Sequence, residues 1–228
     1  MLVKTWMSKE VITVDSDASM QEAIELLKEN NILMLPVMKK SKLVGIITDR
    51  DLKRASASDA NSLEIRELKY LISEIKVHEM MSKDPVTVPF DYTLEETAEV
   101  LLSHKISGAP VVDHEKNIIG VITKKDLFRA LMSLTSLEIR GIQFAFQIED
   151  RPGSIKEIAD IFRKYGGRIA SILSSCNSAK DGYRNVYFRI YEADRSKLQQ
   201  LKAELNGQSK MLYMVDLLNN EREIYANS

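Results

Sequence analysis

Three observations predict a mixed α/β (α+β) protein, with two β-α-β-β-α repeats followed by a separate β-α-β-β-α-β unit. Residues 3–37 match residues 77–111 in one register, at an offset of 74. Helix-capping residues fall at equivalent places in the two copies. After Leu137 the pattern changes to the apolar–polar alternation of a half-buried strand.

The repeat rests on identities at Val3/Val77, Met7/Met81, Ser8/Ser82, Thr13/Thr87, Val14/Val88, Asp17/Asp91, Glu22/Glu96, Leu27/Leu101 and Pro36/Pro110. A one-residue insertion moves the offset to 75, after which Gly45/Gly120, Ile47/Ile122, Thr48/Thr123, Asp51/Asp126 and Leu52/Leu127 coincide. Ser19 with Glu22, and Thr93 with Glu96, have the spacing of capping boxes, which satisfy the free amides of a helix's first turn. The helices they open carry apolar stripes at Met20, Ala23, Ile24 and Leu27, and at Leu94, Ala98, Leu101 and Leu102. Short apolar strands follow, LMLPV and LVGIIT in the first copy and GAPVV and IIGVIT in the second. A further helix opens at Asp51 and again at Asp126. Helical spacing at Leu63, Leu68, Leu71, Ile72 and Ile75 predicts a helical connector. The expected boundaries are 1–60 and 77–134 for the repeats, with 61–76 between them.

In the last part, 141–218, Ile142, Phe144, Phe146 and Ile148 share one strand face. Arg-Pro-Gly and a capping box from Ser154 to Glu157 open a helix through Ile158 and Phe162, which stops at the left-handed signal Gly166-Gly167. Strands around 169–175 and 186–191, a helix over 196–205 and a strand over 211–217 complete a β-α-β-β-α-β order, which is ferredoxin-like.

Composition narrows the function classes. With 32 basic and 33 acidic residues the net charge is −1, and no long block of like charge is present, so neither nucleic acid nor an anionic membrane is the expected partner. No apolar run reaches the roughly 18 residues of a membrane span, and the start MLVKTWMSKE lacks a signal's apolar stretch, so the expected location is cytoplasmic. The lone cysteine, Cys176, and the histidines His78, His104 and His114 show no metal-ligand spacing, so no metal or catalytic cofactor is expected. Cys176 lies far along the chain from every histidine, and Asp49, Asp51 and Asp126 lack the dense carboxylate set of a two-metal site. Met80-Met81 and Tyr187, Phe188 and Tyr191 read as core. The expectation is therefore a protein without catalytic activity.

GIITDRDL (Gly45–Leu52), GVITKKDL (Gly120–Leu127) and ISGAPVVD (Ile106–Asp113) resemble a tandem CBS-domain pair, or Bateman module, over residues 1 to about 132. That resemblance implies a regulatory module binding AMP, ADP, ATP or another adenosyl compound in clefts between the repeats. The residues suit the ligand. Glycine permits close backbone approach, and a threonine directly before a helix offers a hydroxyl and free amides to phosphate. An aspartate in the first helical turn can accept from both ribose hydroxyls. Taken alone, Thr-x-x-Asp is more often a helix cap; its repetition in a matching unit favours the ligand.

As in the family, each cleft is expected to draw on both repeats. One combines Thr48, Arg50 and Asp51 with Thr87, Ser107, Gly108, Ala109 and Pro110. The other combines Thr123, Lys124, Lys125 and Asp126 with Thr13, Leu33, Met34, Leu35 and Pro36. Leu33 and Met34 replace Ser-Gly there, which narrows the base pocket.

DRPGSI (Asp150–Ile155) and RIASI (Arg168–Ile172) resemble an ACT domain. The resemblance implies edge-to-edge dimerisation or an amino-acid site at Asp150, Arg151, Pro152, Gly153, Ser154, Ile155, Arg168 and Ile169. Arg168 stands where amino-acid-binding members usually carry asparagine, so both roles stay open. The joint order resembles the acetoin-utilisation protein AcuB family. It implies a homodimeric regulatory sensor, or else a regulatory subunit with vestigial sites that acts through a partner enzyme.

Overall fold

A computed structural model describes residues 1–51, 74–177 and 179–225. The connector expected over 61–76 lies mostly outside these residues. The chain divides into two units, Met1–Phe128 and Arg129–Ser228.

The first unit begins with a one-turn helix, α1 (Val3–Trp6), then β1 (Val14–Asp15), α2 (Met20–Glu29), β2 (Met34–Lys39) and β3 (Lys42–Thr48). The second copy repeats the series as α3 (Val77–Met80), β4 (Ser82–Lys83), β5 (Val88–Pro89), α4 (Leu94–Ser103), β6 (Gly108–Val112) and β7 (Ile118–Thr123). Helix α5 (Lys124–Leu134) follows β7, and a helix opens at Asp49 directly after β3.

Both N-caps form, but of the two expected capping boxes only that of α4 closes. Ser19 Oγ accepts from the Glu22 amide at 3.2 Å. In α4, Thr93 Oγ1 accepts from the Glu96 amide, and Glu96 returns the bond to the Thr93 amide at 2.7 Å. Those Thr93 bonds hold the Glu96 carboxyl below its ordinary pKa. The stripe of α4 differs from expectation. Leu94, Thr97 and Leu101 are buried, whereas Leu102 is 68% exposed. Thr97 can take the inward place because its hydroxyl donates to the Thr93 carbonyl at 2.9 Å, so no unpaired polar group is buried.

Neither repeat completes its sheet alone. Strand order is β1-β2-β3-β4 in one sheet, and β4, from the second copy, pairs antiparallel with β3 of the first. The second sheet is β5-β6-β7, and there Ser8 from the first copy bridges Val121. The exchange extends to the helix starts: Leu2 bridges Thr93 just as Ser19 bridges Lys76. Val77 of the second copy is buried in the first copy's core with Met20, Leu27, Leu35 and Ile47. The two copies are thus one folding unit with an approximate twofold relation.

Gly45 and Gly120 belong to this exchange, a packing role that the sequence reading did not include. The place of a Cβ on Gly45 is taken by the Met81 thioether and lies 3.0 Å from the Ser82 carbonyl oxygen. On Gly120 the same place lies 2.5 Å from Met7 Sδ and 3.0 Å from the Ser8 carbonyl oxygen. The glycines seat each copy's leading methionine against the other copy. Gly45→Ala and Gly120→Ala should each cost about 1–3 kcal/mol, the usual range for overpacking. Urea unfolding of each variant should show a lowered midpoint; an unchanged midpoint for both would refute the packing role.

The second unit contains β8 (Ile142–Glu149), α6 (Ser154–Lys164), β9 (Arg168–Ser175), β10 (Tyr183–Tyr191), α7 (Leu198–Gln208), β11 (Lys210–Asp216) and β12 (Glu221–Ile224). The sheet order is β12-β11-β8-β10-β9, antiparallel throughout. Without β12 this is the expected ferredoxin-like β-α-β-β-α-β arrangement; β12 is an added edge strand that sequence analysis missed. Alternation along β8 and β10 sends Phe144, Phe146 and Phe188 into the core. Phe162 of α6 meets them there, its ring centroid 5.2 Å from those of Phe144 and Phe188. Helix α6 ends as predicted, with Gly166 at φ 76°. Its start is a correction: the capping box Ser154–Glu157 does not form. Gly153 is the N-cap at φ 91°, the Ser154 hydroxyl donates to the Arg151 carbonyl at 2.9 Å, and Glu157 is drawn to Arg151 instead.

Candidate functional site

Two equivalent centres arise where β3 and β7 run into helices. Thr48 donates both its backbone N–H (2.9 Å) and its hydroxyl (2.7 Å) to Asp51 Oδ2. Thr123 does the same to Asp126 Oδ2 at the same two distances. Both carboxylates are almost buried, 8% and 9% exposed. The identical geometry follows from the shared spacing: a threonine ends the strand and an aspartate three residues on lies in the helix's first turn. One carboxylate oxygen therefore caps the helix.

Antiparallel register sets a strand start beside each centre. Met34 pairs with Thr48, and Gly108 pairs with Thr123. The Leu33 carbonyl accepts from the Asp49 amide at 3.2 Å, and the Ser107 carbonyl from the Lys124 amide at 2.9 Å. These bonds tie each Thr-x-x-Asp to its own copy's strand start, a grouping that the expected cross-repeat clefts did not include. The copies approach each other at Gly108, whose Cβ position is 3.0 Å from Met34 Cε and 2.9 Å from Thr123 Cγ2 of its own copy.

The remaining expected residues divide by exposure. Leu35, Pro36, Ala109 and Pro110 are buried within their strands, Thr13 and Thr87 are half-buried just before β1 and β5, and Arg50 and Lys125 are exposed. Among the described residues no cluster of three or more His, Cys, Asp or Glu could hold a metal. His78 Nδ1 lies 3.0 Å from the Ser16 carbonyl oxygen, and His114 packs edge-on against Phe90.

A second centre lies in the C-terminal unit, an open depression of ≈ 660 Å³ at the turn between β8 and α6. Asp150, Arg151, Pro152, Gly153, Ser154 and Ile155 line it. Ile172 and Arg184 join them, while Arg168 and Ile169 are not among its walls. Arg168 stacks over the Tyr191 ring at 5.4 Å and approaches Glu192. Ile169 packs against the apolar core. Arg184, missed from sequence, donates to Asp150 Oδ1 at 2.8 Å. It reaches the turn because β10 runs alongside β8, with Arg184 paired to Ile148, and long-range register leaves no local sequence signal. Arg151 grips Glu157 through both terminal nitrogens (2.8 and 2.7 Å) and Glu149 through Nε, and these carboxylates raise its already high pKa.

Comparison with known proteins addresses the first centre. The family profile described as "CBS domain" matches residues 3–58 and 76–133, the two copies described above. The chain belongs to the CBS-domain family. The CBS pair is 33% identical over 138 residues to a CBS domain-containing protein of Dictyostelium discoideum, covering 58% of this chain and 92% of that one. It is 34% identical over 125 residues to an inosine-5′-monophosphate dehydrogenase of Korarchaeum cryptofilum, covering 55% of this chain but 23% of that enzyme. The match to an L-aspartate semialdehyde sulfurtransferase of Methanocaldococcus jannaschii likewise spans 23% of the relative. Among solved structures, the CBS domain pair of protein MJ0100, in complex with 5′-methylthioadenosine and S-adenosyl-L-methionine, aligns with a TM-score of 0.50 at 32% identity. That match covers 57% of this chain and 99% of the other. Among the described residues no helix is long and apolar enough to cross a membrane.

Proposed function

We propose that this protein is a non-catalytic regulatory sensor that binds an adenosine compound in the clefts of its CBS pair. The observation that carries the reading is the duplicated Thr-x-x-Asp centre. Two nearly buried carboxylates are held rigidly by a threonine hydroxyl and amide, each at the start of a helix whose amides favour a phosphate or other anionic group. Asp51 and Asp126 receive the ribose hydroxyls, while Arg50, Lys124 and Lys125 supply charge beside any phosphate. Thr87 with Ser107–Pro110, and Thr13 with Leu33–Pro36, line the base. The adenosyl ligands of the MJ0100 pair support this ligand class. AMP, ADP and ATP belong to it as well.

The C-terminal unit is proposed as an ACT domain, a reading supported by its strand order and by the depression at Asp150–Ile155. Its role is to pair two copies along an edge or to sense an amino acid, making the protein a homodimer of the AcuB type. The Arg151–Glu157 and Arg184–Asp150 pairs favour the pairing role, because the charged groups around the depression already have protein partners.

The alternative is a regulatory subunit with vestigial sites acting through a partner enzyme. The pair of hydrogen bonds from each threonine to Asp Oδ2 favours it, since they engage that oxygen within the helix's first turn without a ligand.

A thermal-melt screen against S-adenosylmethionine, methylthioadenosine, AMP, ADP, ATP and the amino acids, with GTP and phosphate as controls, separates the two. Ligand at about 100 times its Kd stabilises by about 2.7 kcal/mol per site. At roughly 2–4 °C per kcal/mol, the expected shift is on the order of 5–10 °C. A shift selective for adenosine compounds supports the sensor; a flat screen supports the subunit.

A further inference from the structure

We infer that the residue after each threonine sorts the ligands of the two centres. Lys124 makes the Thr123–Asp126 centre the one for adenosine compounds with an anionic 5′ group. Asp49 makes the Thr48–Asp51 centre the one for adenosine compounds without such a charge. This rests on the sensor reading and names the ligand class of each of its sites.

The two centres match in everything but these charges between threonine and aspartate. Each Asp Oδ2 accepts from its threonine at 2.9 and 2.7 Å, and each carboxylate is almost buried. In both, the residue after the threonine is half-buried and the next is exposed. The backbone of that first residue is fixed in both copies by its own amide. Asp49 donates to the Leu33 carbonyl at 3.2 Å, and Lys124 donates to the Ser107 carbonyl at 2.9 Å. Side chains 49 and 124 therefore leave the backbone from equivalent places. Their charges are opposite: Asp49 with Arg50 sum to zero, whereas Lys124 with Lys125 sum to +2. Chain linkage assigns each pair to its own centre, whichever strand start lines the base, because the pair stands between the threonine and the aspartate of that centre.

The aspartates do not discriminate among adenosine compounds, since all present the same ribose hydroxyls. The 5′ substituent is what differs. ADP carries a diphosphate there, and 5′-methylthioadenosine an uncharged thioether. Charges act over about 8 Å at physiological salt, and positions 49 and 124 directly follow the threonines. A lysine there attracts a diphosphate and an aspartate repels it, so the reversal of sign counts twice in the comparison.

The test is titration calorimetry of the full chain with ADP and with 5′-methylthioadenosine, which share adenine and ribose. Asp51→Asn leaves the Thr123–Asp126 centre intact, and Asp126→Asn leaves the Thr48–Asp51 centre. The ratio of ADP affinity to methylthioadenosine affinity should be at least tenfold higher in Asp51→Asn than in Asp126→Asn. In the Asp51→Asn background, Lys124→Asp should weaken ADP at least tenfold and methylthioadenosine less than twofold. In the Asp126→Asn background, Asp49→Lys should tighten ADP by a similar factor. Each exchange introduces the residue that the other copy already carries at that place, so the fold should tolerate both. Made in wild type, the same exchanges should weaken and tighten ADP respectively, which keeps the test open if an asparagine variant fails to fold. Equal ratios at the two centres, ratios that neither exchange moves, or a centre that takes neither compound while wild type binds would each overturn the sorting and leave the sensor reading intact. Silence of wild type toward both compounds overturns the sorting, and silence toward every adenosine compound of the melt screen overturns the sensor reading with it.

Discussion

Asp51→Ala should weaken binding of an adenosine compound at least tenfold, equivalent to about 1.4 kcal/mol. It should also lower stability by about 1 kcal/mol, the usual cost of losing a helix cap. Both effects follow from one carboxylate group with two employments. Oδ2 receives the Thr48 amide and hydroxyl at 2.9 and 2.7 Å, which fixes the first turn of the following helix. In the proposed sensor the same group, held nearly buried, is the acceptor offered to the ribose. Asp51→Asn separates the employments. The amide oxygen can still accept from Thr48, so the melting temperature should stay close to wild type. The charge that strengthens hydrogen bonds from the ribose is gone, so affinity should still fall. Calorimetry on the two variants is decisive. A Kd unchanged in both removes Asp51 from the ligand site and leaves the cap as its whole role.

That double employment shows what was legible in the sequence and what was not. Thr48, Asp51, Thr123 and Asp126 stand out because they recur at one spacing within a repeat, and local spacing is enough to determine a strand end, a helix start and the bond between them. The caps at Ser19 and Thr93 were legible for the same reason. Gly45 and Gly120 were equally conspicuous, yet their packing role was not read. What they face is Met81 and Met7 of the opposite copy, brought there by the exchange of leading segments, and no periodicity within one copy reports that exchange. Met34 is of the same kind: it is a visible departure from Gly108, but the contact its methyl group makes with that glycine depends on how the copies meet.

In the C-terminal unit the alternation of β8 and the glycine stop of α6 predicted the elements. Ser154 misled, because its spacing to Glu157 suits a capping box while Arg151, a stronger partner, lies just upstream and takes the carboxylate. Arg184 enters the depression through strand pairing alone, and β12 is too short and too polar to announce itself: Glu221, Arg222 and Glu223 show no apolar alternation and form a strand only against β11.

Arg195→Ala should destabilise the C-terminal unit by about 3 kcal/mol at neutral pH, near the low end for breaking a buried ion pair because the arginine side chain is 40% exposed. Asp216 is fully buried at the end of β11, and its two oxygens accept from Arg195 at 2.6 and 3.2 Å and from the amides of Leu218 and Asn219. Burial pushes this carboxyl's pKa up, but the Arg195 bonds and the two amides together outweigh it, so it lies below the ordinary value of 3.8. With a depressed folded-state pKa, the group's contribution to stability is present above that ordinary value and is lost as pH falls through the lower folded one. Removing Arg195 takes away the largest lowering influence. Burial then acts against the amides alone, the pKa of Asp216 rises, and the variant gains relative stability as acid neutralises the stranded carboxylate. The stability gap between wild type and Arg195→Ala should therefore narrow between pH 7 and pH 4, while carboxylates elsewhere titrate alike in both proteins and cancel in the difference. Denaturant melts at the two pH values measure it. A gap of the same size at both would mean that Arg195 does not act through its charge on Asp216.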